Sequence, residues 1–457
     1  METTTQSPGR AADAISARME RLPMSRWHIK ARVIVGAVTF FDGFDQLMIA
    51  YSIPDLPTAW NLSSTMIAWI IAVGGIGMLV GALGGGWLAD RVGRLNTIQI
   101  ALVVYAITSL GMAFTHSLAL FMILRFVQGV GLGAEVPVAA AYIGEISKAH
   151  KRGRFVLLYE TIFPVGLVMS AIVSSWIVPR WGYEVLFALG AIPILLVPML
   201  RRVPESPRWL AAHGRLDKAE ESMARIESEV AGYGLELPEP RPTTDDLVVL
   251  ASPRVVELFR GVYLKRTLML AGIWLSAYFV NYGIASWLPT LYKKQFGVST
   301  ATALHYSIFT TVAGLVGCLL IALLIDNLGR KICISVAMAM CTVVLALLAA
   351  IGTNTELAVL GWSAAAALLV FAVNMALYVY TAELYPTRMR AMGSAVGGAA
   401  GRLGIVVGPL VVGFTLDHTG SLSWVFAIFA VVAGLGAIIV ALFATETKEM
   451  TLEEISR

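Results

Sequence analysis

Charge is what this sequence has least of. Only 14% of its 457 residues are Asp, Glu, Lys or Arg, against roughly 25% in a soluble domain. With 57% hydrophobic residues and a mean hydropathy of +0.75, the chain reads as a membrane protein. Cysteine is scarce as well. Cys318, Cys333 and Cys341 fall in apolar stretches without paired or metal-ligand spacing, so they read as small buried hydrophobes and exclude a disulfide framework. Histidine is confined to the tail, loops and segment ends (His28, His116, His150, His213, His305, His418) and forms no triad or metal cluster. An enzyme is therefore not expected, nor is a metal or cofactor. No filter-like loop or charged ring suggests a channel. The net charge of +4 is small, and no nucleic-acid partner is expected. A signal peptide is missing too. Residues 1–32 are polar and basic, and the apolar run that follows is too long for a signal.

What is abundant is apolar sequence in membrane-length blocks. Twelve spans are predicted at 32–53, 65–89, 96–115, 118–143, 154–178, 183–200, 266–290, 303–325, 331–351, 358–382, 391–416 and 421–444. They divide the chain into a tail (1–31), a six-helix half (32–200), a charged, Pro-punctuated linker (201–265), a second six-helix half (266–444) and a C-terminal tail (445–457). Basic residues gather in the loops after spans 2, 4, 8 and 10. The positive-inside rule therefore places both termini and the linker in the cytoplasm of a cell (inner or plasma) membrane.

The halves repeat each other. Asp90-Arg91-Val92-Gly93-Arg94 follows span 2, and Asp326-Asn327-Leu328-Gly329-Arg330 follows span 8. The loop after span 4 holds Glu145 and Arg152, and the loop after span 10 holds Glu383 and Arg388.

Within the spans, ionisable residues are few. Asp42 and Asp45 lie in the first, Arg125 and Glu135 in the fourth, Glu160 in the fifth and Arg402 in the eleventh. An acid at bilayer depth costs roughly 2.5–3.5 kcal/mol on insertion scales, so two in one span imply a task. Three residues apart on a helix, Asp42 and Asp45 lie within about 60° of each other and can share one polar interior. Four acids face two bases, and a dry core does not keep unpaired carboxylates ionised. Such a cluster suits proton coupling by Asp42, Asp45 and Glu135, with Arg125 either balancing a first-span acid or held with Asp45 as a permanent ion pair. Gln128, Asn281 and Asn374 supply further polar groups. Phe41, Phe44, Tyr278, Tyr282 and Tyr378 supply rings on which a flat ligand can stack, and Arg402, near midplane, can grip a carboxylate.

At this point a family resemblance is carried by the residues. Gly86-Trp87-Leu88-Ala89-Asp90-Arg91-Val92-Gly93-Arg94 resembles the signature loop of the major facilitator superfamily. That resemblance implies an all-α fold of two pseudo-symmetric six-helix bundles with a solute site between them. It also implies a gating role for Asp90, Arg91, Arg94, Glu145 and Arg152, and for Asp326, Arg330, Glu383 and Arg388. Pro204-Glu205-Ser206-Pro207-Arg208 and Glu446-Thr447-Lys448 resemble sugar-porter landmarks. Asp42-Gly43-Phe44-Asp45 is similar to the first-helix motif of aromatic acid:proton symporters. Gly133-Ala134-Glu135-Val136-Pro137-Val138 and Glu383-Leu384-Tyr385-Pro386-Thr387-Arg388 resemble niacin-type metabolite:proton symporters.

The expectation is a monomeric, proton-driven importer of a small organic acid such as nicotinate or a benzoate. Its partners would be that solute (with Glu160 among its contacts), protons and the bilayer. A sugar or polyol symporter and a non-transporting sensor are the competing readings.

Overall fold

The computed structural model describes residues 8–56, 60–147, 159, 161–240, 255–386 and 389–448, all-α with no strand among them. A short helix, α1 (Pro8–Arg21), precedes α2 (Arg26–Ser52), α3 (Ser64–Val92), α4 (Arg94–Phe114), α5 (Leu118–Ile146) and α6 (Ile162–Leu189). The chain then forms a 3-10 stretch at Ile192–Leu196 and α7 (Val197–Leu200), followed by the linker helices α8 (Pro207–Ala212) and α9 (Leu216–Ala231). The second half comprises α10 (Gly261–Phe296), α11 (Thr300–Leu328), α12 (Arg330–Ile351), α13 (Glu356–Leu384), α14 (Arg390–Thr419) and α15 (Leu422–Phe443).

Eleven of the described helical stretches are long and apolar enough to cross a bilayer. The twelfth crossing is folded into the longest of them, Ile162–Leu200, where Gly182 leaves helical geometry (φ 80°, ψ 173°) and lets two legs meet. The sixth crossing departs from the helix expected over 183–200. Pro193 and Pro198 remove backbone donors, and the chain answers with 3-10 geometry before α7. A second departure is α1, within residues expected to be a plain polar tail. Its Ile15 and Met19, with Leu22 just past its end, follow the i, i+4, i+7 stripe of an amphipathic helix and are buried, and α1 packs on the linker helices. Arg18 clamps it to Glu220 and Glu227 (both 2.6 Å), and Glu20 pairs with Arg208 at 2.5 Å.

Local chemistry repeats with the halves. On the face away from the linker, α3, α5, α11 and α13 are each N-capped by a hydroxyl, from Ser63, Ser117, Ser299 and Thr355. At the linker face, the turns α3–α4 and α11–α12 each pass through a glycine in the left-handed half of the map, Gly93 (φ 113°) and Gly329 (φ 93°). Within each half the same pairs pack: α3 on α5 and α2 on α6, matched by α11 on α13 and α10 on α14. The α3–α5 crossing is backbone to backbone, since a methyl at Gly77 or Gly133 would strike the Phe126 or Met78 carbonyl.

Between the halves, α3 packs on α14 and α6 on α11. Specific bonds join them on the face opposite the linker. Asp417 at the end of α14 accepts the N–H groups of Ser64 (3.0 Å) and Thr65 (2.7 Å) at the start of α3. Lys293 donates to the Pro54 carbonyl at 2.5 Å.

Candidate functional site

The fold brings the predicted intramembrane charges toward one interior. Asp42 and Asp45 are at most 1% exposed, as is Glu135, and Arg125 is 3% exposed. None of the four oxygens of the aspartate pair has a hydrogen-bond partner among the described residues. Of the two readings of Arg125, the permanent ion pair with Asp45 is not formed: among the described residues no contact within 4 Å joins them. Arg125 instead lies over Gly74, whose missing side chain leaves 2.5 Å between an ideal Cβ and Nε, and donates to Gln128 Oε1 at 2.5 Å. Arg125 remains near enough to act electrostatically on Asp45, and Asp42 is within electrostatic reach of both Asp45 and Arg402. Glu135 lies deeper toward the linker, where Thr39 donates to it at 3.1 Å and is bonded in turn to the Tyr159 hydroxyl.

The second half contributes a wall of rings. Trp274 stacks on Tyr278 (centroids 5.3 Å apart), Tyr278 stacks on Tyr282 (5.8 Å), and Tyr378 meets Trp274 edge-on at 5.0 Å. The hydroxyls of Tyr278 and Tyr378 lie 3.2 Å apart, and Tyr378 is 41% exposed although it sits within a membrane helix. Arg402 is half-buried on α14. One nitrogen bonds the Gly398 carbonyl at 3.3 Å, and its Nε is unpartnered. The spacing 274, 278, 282 sets the three rings on one side of α10, one turn apart. Trp274 was not among the predicted binding residues, although the i, i+4, i+8 pattern in the sequence points to it. Asn281 and Asn374 are buried, the latter with its carbonyl oxygen unpartnered. Phe44 is buried and Phe41 half-buried, their rings 6.4 Å apart.

At the linker face the two signature loops form matching ion-pair groups. Arg94 joins Asp90 (2.7 Å) and Glu145 (3.1 Å), and Arg330 joins Asp326 (3.0 Å) and Glu383 (2.9 Å). Arg91 differs. Its guanidinium lies 3.9 Å over the Trp87 ring and enters no ion pair among the described residues. Two glutamates complete the pattern that the loop motifs alone did not give. Glu205 accepts the N–H of Leu95 at 3.0 Å, and Glu446 accepts those of Arg330 (2.8 Å) and Lys331 (3.1 Å), so each caps the helix after a signature loop. Burial pushes the Glu205 carboxyl above the usual glutamate range, against the pull of the Ser206 and Leu95 N–H groups. Burial acts the same way on Glu446, but its four N–H donors outweigh it and hold that carboxyl low. Among the described residues, each of these four ion pairs joins residues of one half. Arg152, Glu160 and Arg388 lie outside the described residues.

Residues 24–457 match the family described as sugar (and other) transporters. The niacin transporter of Acinetobacter baylyi is 32% identical over 96% of this chain and 99% of its own length. The gallate transporter of Pseudomonas putida is 28% identical over 92% of each. Among solved structures, the partially occluded, inward-open xylose transporter XylE from E. coli superposes with a TM-score of 0.73. It is 23% identical, over 93% of this chain and all of that one.

Proposed function

The chain belongs to the sugar (and other) transporter family of the major facilitator superfamily, and from that premise we propose proton-coupled import of a small aromatic carboxylate by alternating access. The observation that carries the reading is the buried Asp42–Asp45 pair, without hydrogen bonds among the described residues, set beside Arg402 and the tyrosine wall. Two adjacent buried carboxylates do not persist as a bare dianion. They hold a proton, or they share a cation and a solute. Arg402 Nε is free to take a carboxylate, while Tyr278, Tyr282 and Tyr378 offer ring faces and hydroxyls to a flat, polar-edged solute. Relatives that carry niacin and gallate, both compact aromatic acids, support this substrate class.

In this reading a proton enters with the anion, so that the loaded carrier bears no extra charge through the membrane. Asp42 and Asp45 exchange the proton, Arg125 sets their field, and the Arg94 and Arg330 groups gate the linker face. The linker and both termini lie in the cytoplasm, and the carrier works as a monomer. Contacts between the halves at Asp417 and Lys293, together with the exposure of Tyr378, support assigning this conformation to the inward-facing arm of the cycle.

Uptake by reconstituted vesicles tests the proposal. With the interior one pH unit more alkaline, one proton per anion should drive about tenfold accumulation of nicotinate or 4-hydroxybenzoate, because one pH unit is worth about 1.36 kcal/mol. Accumulation of xylose instead, or none that responds to the gradient, would overturn it.

A further inference from the structure

Away from the linker, past the tyrosine wall, the fold leaves a small polar crevice. Helices α10, α11 and α13 of the second half bound it, and Tyr51 of α2 closes it from the first. Its free space is about 10 Å³, room for one oxygen atom but not for a ring. Three hydroxyls of α11 line it, and two are already spent inside that helix. Ser307 donates to the Ala303 carbonyl at 3.0 Å, and Thr311 to the Ser307 carbonyl at 3.0 Å. Thr310 does not follow them. A helical threonine can give its hydroxyl to the carbonyl one turn back, yet Thr310 is 4% exposed and its Oγ1 has no partner among the described residues. A hydroxyl buried in this way is costly until something pairs with it. Asn281, also buried, lines the same crevice.

The crevice continues the tyrosine wall. The hydroxyls of Tyr278 and Tyr378, 3.2 Å apart, set α10 and α13 at one level. One turn outward, about 5 Å, each helix presents an asparagine on the same face, Asn281 after Tyr278 and Asn374 before Tyr378. One turn further along α13 come Val370 and Phe371, which line the crevice. Arg402 belongs to the tyrosine layer, since ideal Cβ atoms at its neighbours Gly401 and Gly404 would lie 3.3 Å from the Tyr278 ring and 3.1 Å from its Cβ. Toward the linker, the wall continues as Trp274, whose only polar atom is spent on Thr381 Oγ1 at 3.0 Å. The wall is therefore apolar at its inner end and polar at its outer end. The step from Arg402 to the asparagine layer is one that a single benzene ring covers between its carboxyl group and its para substituent.

We propose that Thr310 and Asn281 form a subsite for a hydroxyl para to the solute's carboxylate, so that the carrier selects 4-hydroxylated aromatic acids over benzoate and nicotinate. This rests on the import reading above. The carboxylate meets Arg402, the ring lies on Tyr278 and Tyr282, and the phenolic O–H enters the crevice. A phenol both donates and accepts, so it can pair with the Thr310 hydroxyl and the Asn281 amide together. Benzoate puts a C–H there and leaves Thr310 unpaired. Nicotinate carries its ring nitrogen in the meta position, short of the crevice, and that atom can only accept. Discrimination of this kind comes from the polar groups a wrong solute leaves unpaired, not from its size.

Uptake by reconstituted vesicles at a fixed pH gradient tests the subsite. The half-saturating concentration for 4-hydroxybenzoate should lie about tenfold or more below those for benzoate and nicotinate. 4-Fluorobenzoate, which fills the same place without a donor, should behave as benzoate does. Thr310→Val keeps the shape and removes only the hydroxyl. It should raise the 4-hydroxybenzoate value until the two acids differ by less than about twofold, leaving the benzoate value where it was. Its melting temperature without solute should not fall, because no hydrogen bond is lost. Thr310→Ser, which restores a hydroxyl, should restore the preference. Ser307→Ala, whose hydroxyl is spent on its own helix, should leave the preference in place. A parent protein without preference for the hydroxylated acid overturns the subsite, as does a Thr310→Val variant that keeps the preference or loses affinity equally for both acids. A parent that accumulates none of these acids overturns the import reading itself, and is recognised before any variant is compared.

Discussion

Replacing Asp417 with Ala removes the bond that ties the end of α14 to the start of α3 across the halves. The carboxylate takes two N–H groups, from Ser64 at 3.0 Å and Thr65 at 2.7 Å, which have no acceptor one turn earlier in their own helix. Loss of such a cap costs about 0.5–2 kcal/mol, and because Asp417 is largely exposed, solvent screening sets the expected value near 1 kcal/mol. Under the proposed alternating access this contact breaks when the carrier opens to the other side, so the whole loss falls on one arm of the equilibrium. A shift of about 1 kcal/mol changes the ratio of the two states about fivefold. A cysteine at Tyr51, in a background lacking Cys318, Cys333 and Cys341, reports the change. Tyr51 is 1% exposed and lines a crevice with Asn281 and Thr310 between the halves. An impermeant maleimide should label Tyr51→Cys about fivefold faster when Asp417→Ala is added, and less than that with Asp417→Asn. Lys293, still bonded to the Pro54 carbonyl, limits the gain. An unchanged labelling rate in a protein that still transports would refute the latch.

Three further expectations follow from the geometry. Asp42→Asn should reduce gradient-driven accumulation from about tenfold per pH unit to no accumulation, while leaving thermal stability at least equal to the parent, since a buried unpartnered charge site is removed. Gly43→Ala should destabilise by about 1–3 kcal/mol in thermal unfolding, because its methyl would run into the Phe163 carbonyl of α6; a neutral result would mean that the α2–α6 contact is looser than it stands. The Glu227 carboxyl is raised by burial but lowered further by Arg18 and Arg21, so its folded value is depressed. The attachment of α1 is therefore strengthened above the unfolded glutamate pKa and loses that contribution as pH falls below about 4. Hydrogen exchange over residues 13–21 should show protection near neutral pH that is lost in that window, and protection independent of pH would refute it.

Much of this architecture was legible because a bilayer imposes a strong code on sequence. A membrane helix must satisfy its backbone internally and keep its charges from lipid, so span count, the repeated loops and the rarity of Asp, Glu, Lys and Arg inside spans could be read residue by residue. The same code has blind spots. Helix α1 is too short and polar to cross a bilayer, and its brief Ile15, Met19, Leu22 stripe is easily lost among charges. Gly182 reads as an ordinary loop glycine, yet its left-handed φ breaks the helix and turns one crossing directly into the next. Trp274 is an aromatic residue in an apolar helix; its i, i+4, i+8 spacing sets it on the side of Tyr278 and Tyr282, but that spacing is shared by rings that only pack.

Sequence by itself determined the class of molecule, the number of crossings, the twofold repeat and the handful of acids and bases that a transporter must handle. Only the tertiary structure decided which of them meet. Helical periodicity fixes the direction of a side chain relative to its own helix, but not the rotation and tilt of that helix against its neighbours. Arg125 therefore turned to Gln128 and the face of Gly74 rather than pairing with Asp45, and Glu205 and Glu446 emerged as caps on helices distant in the chain.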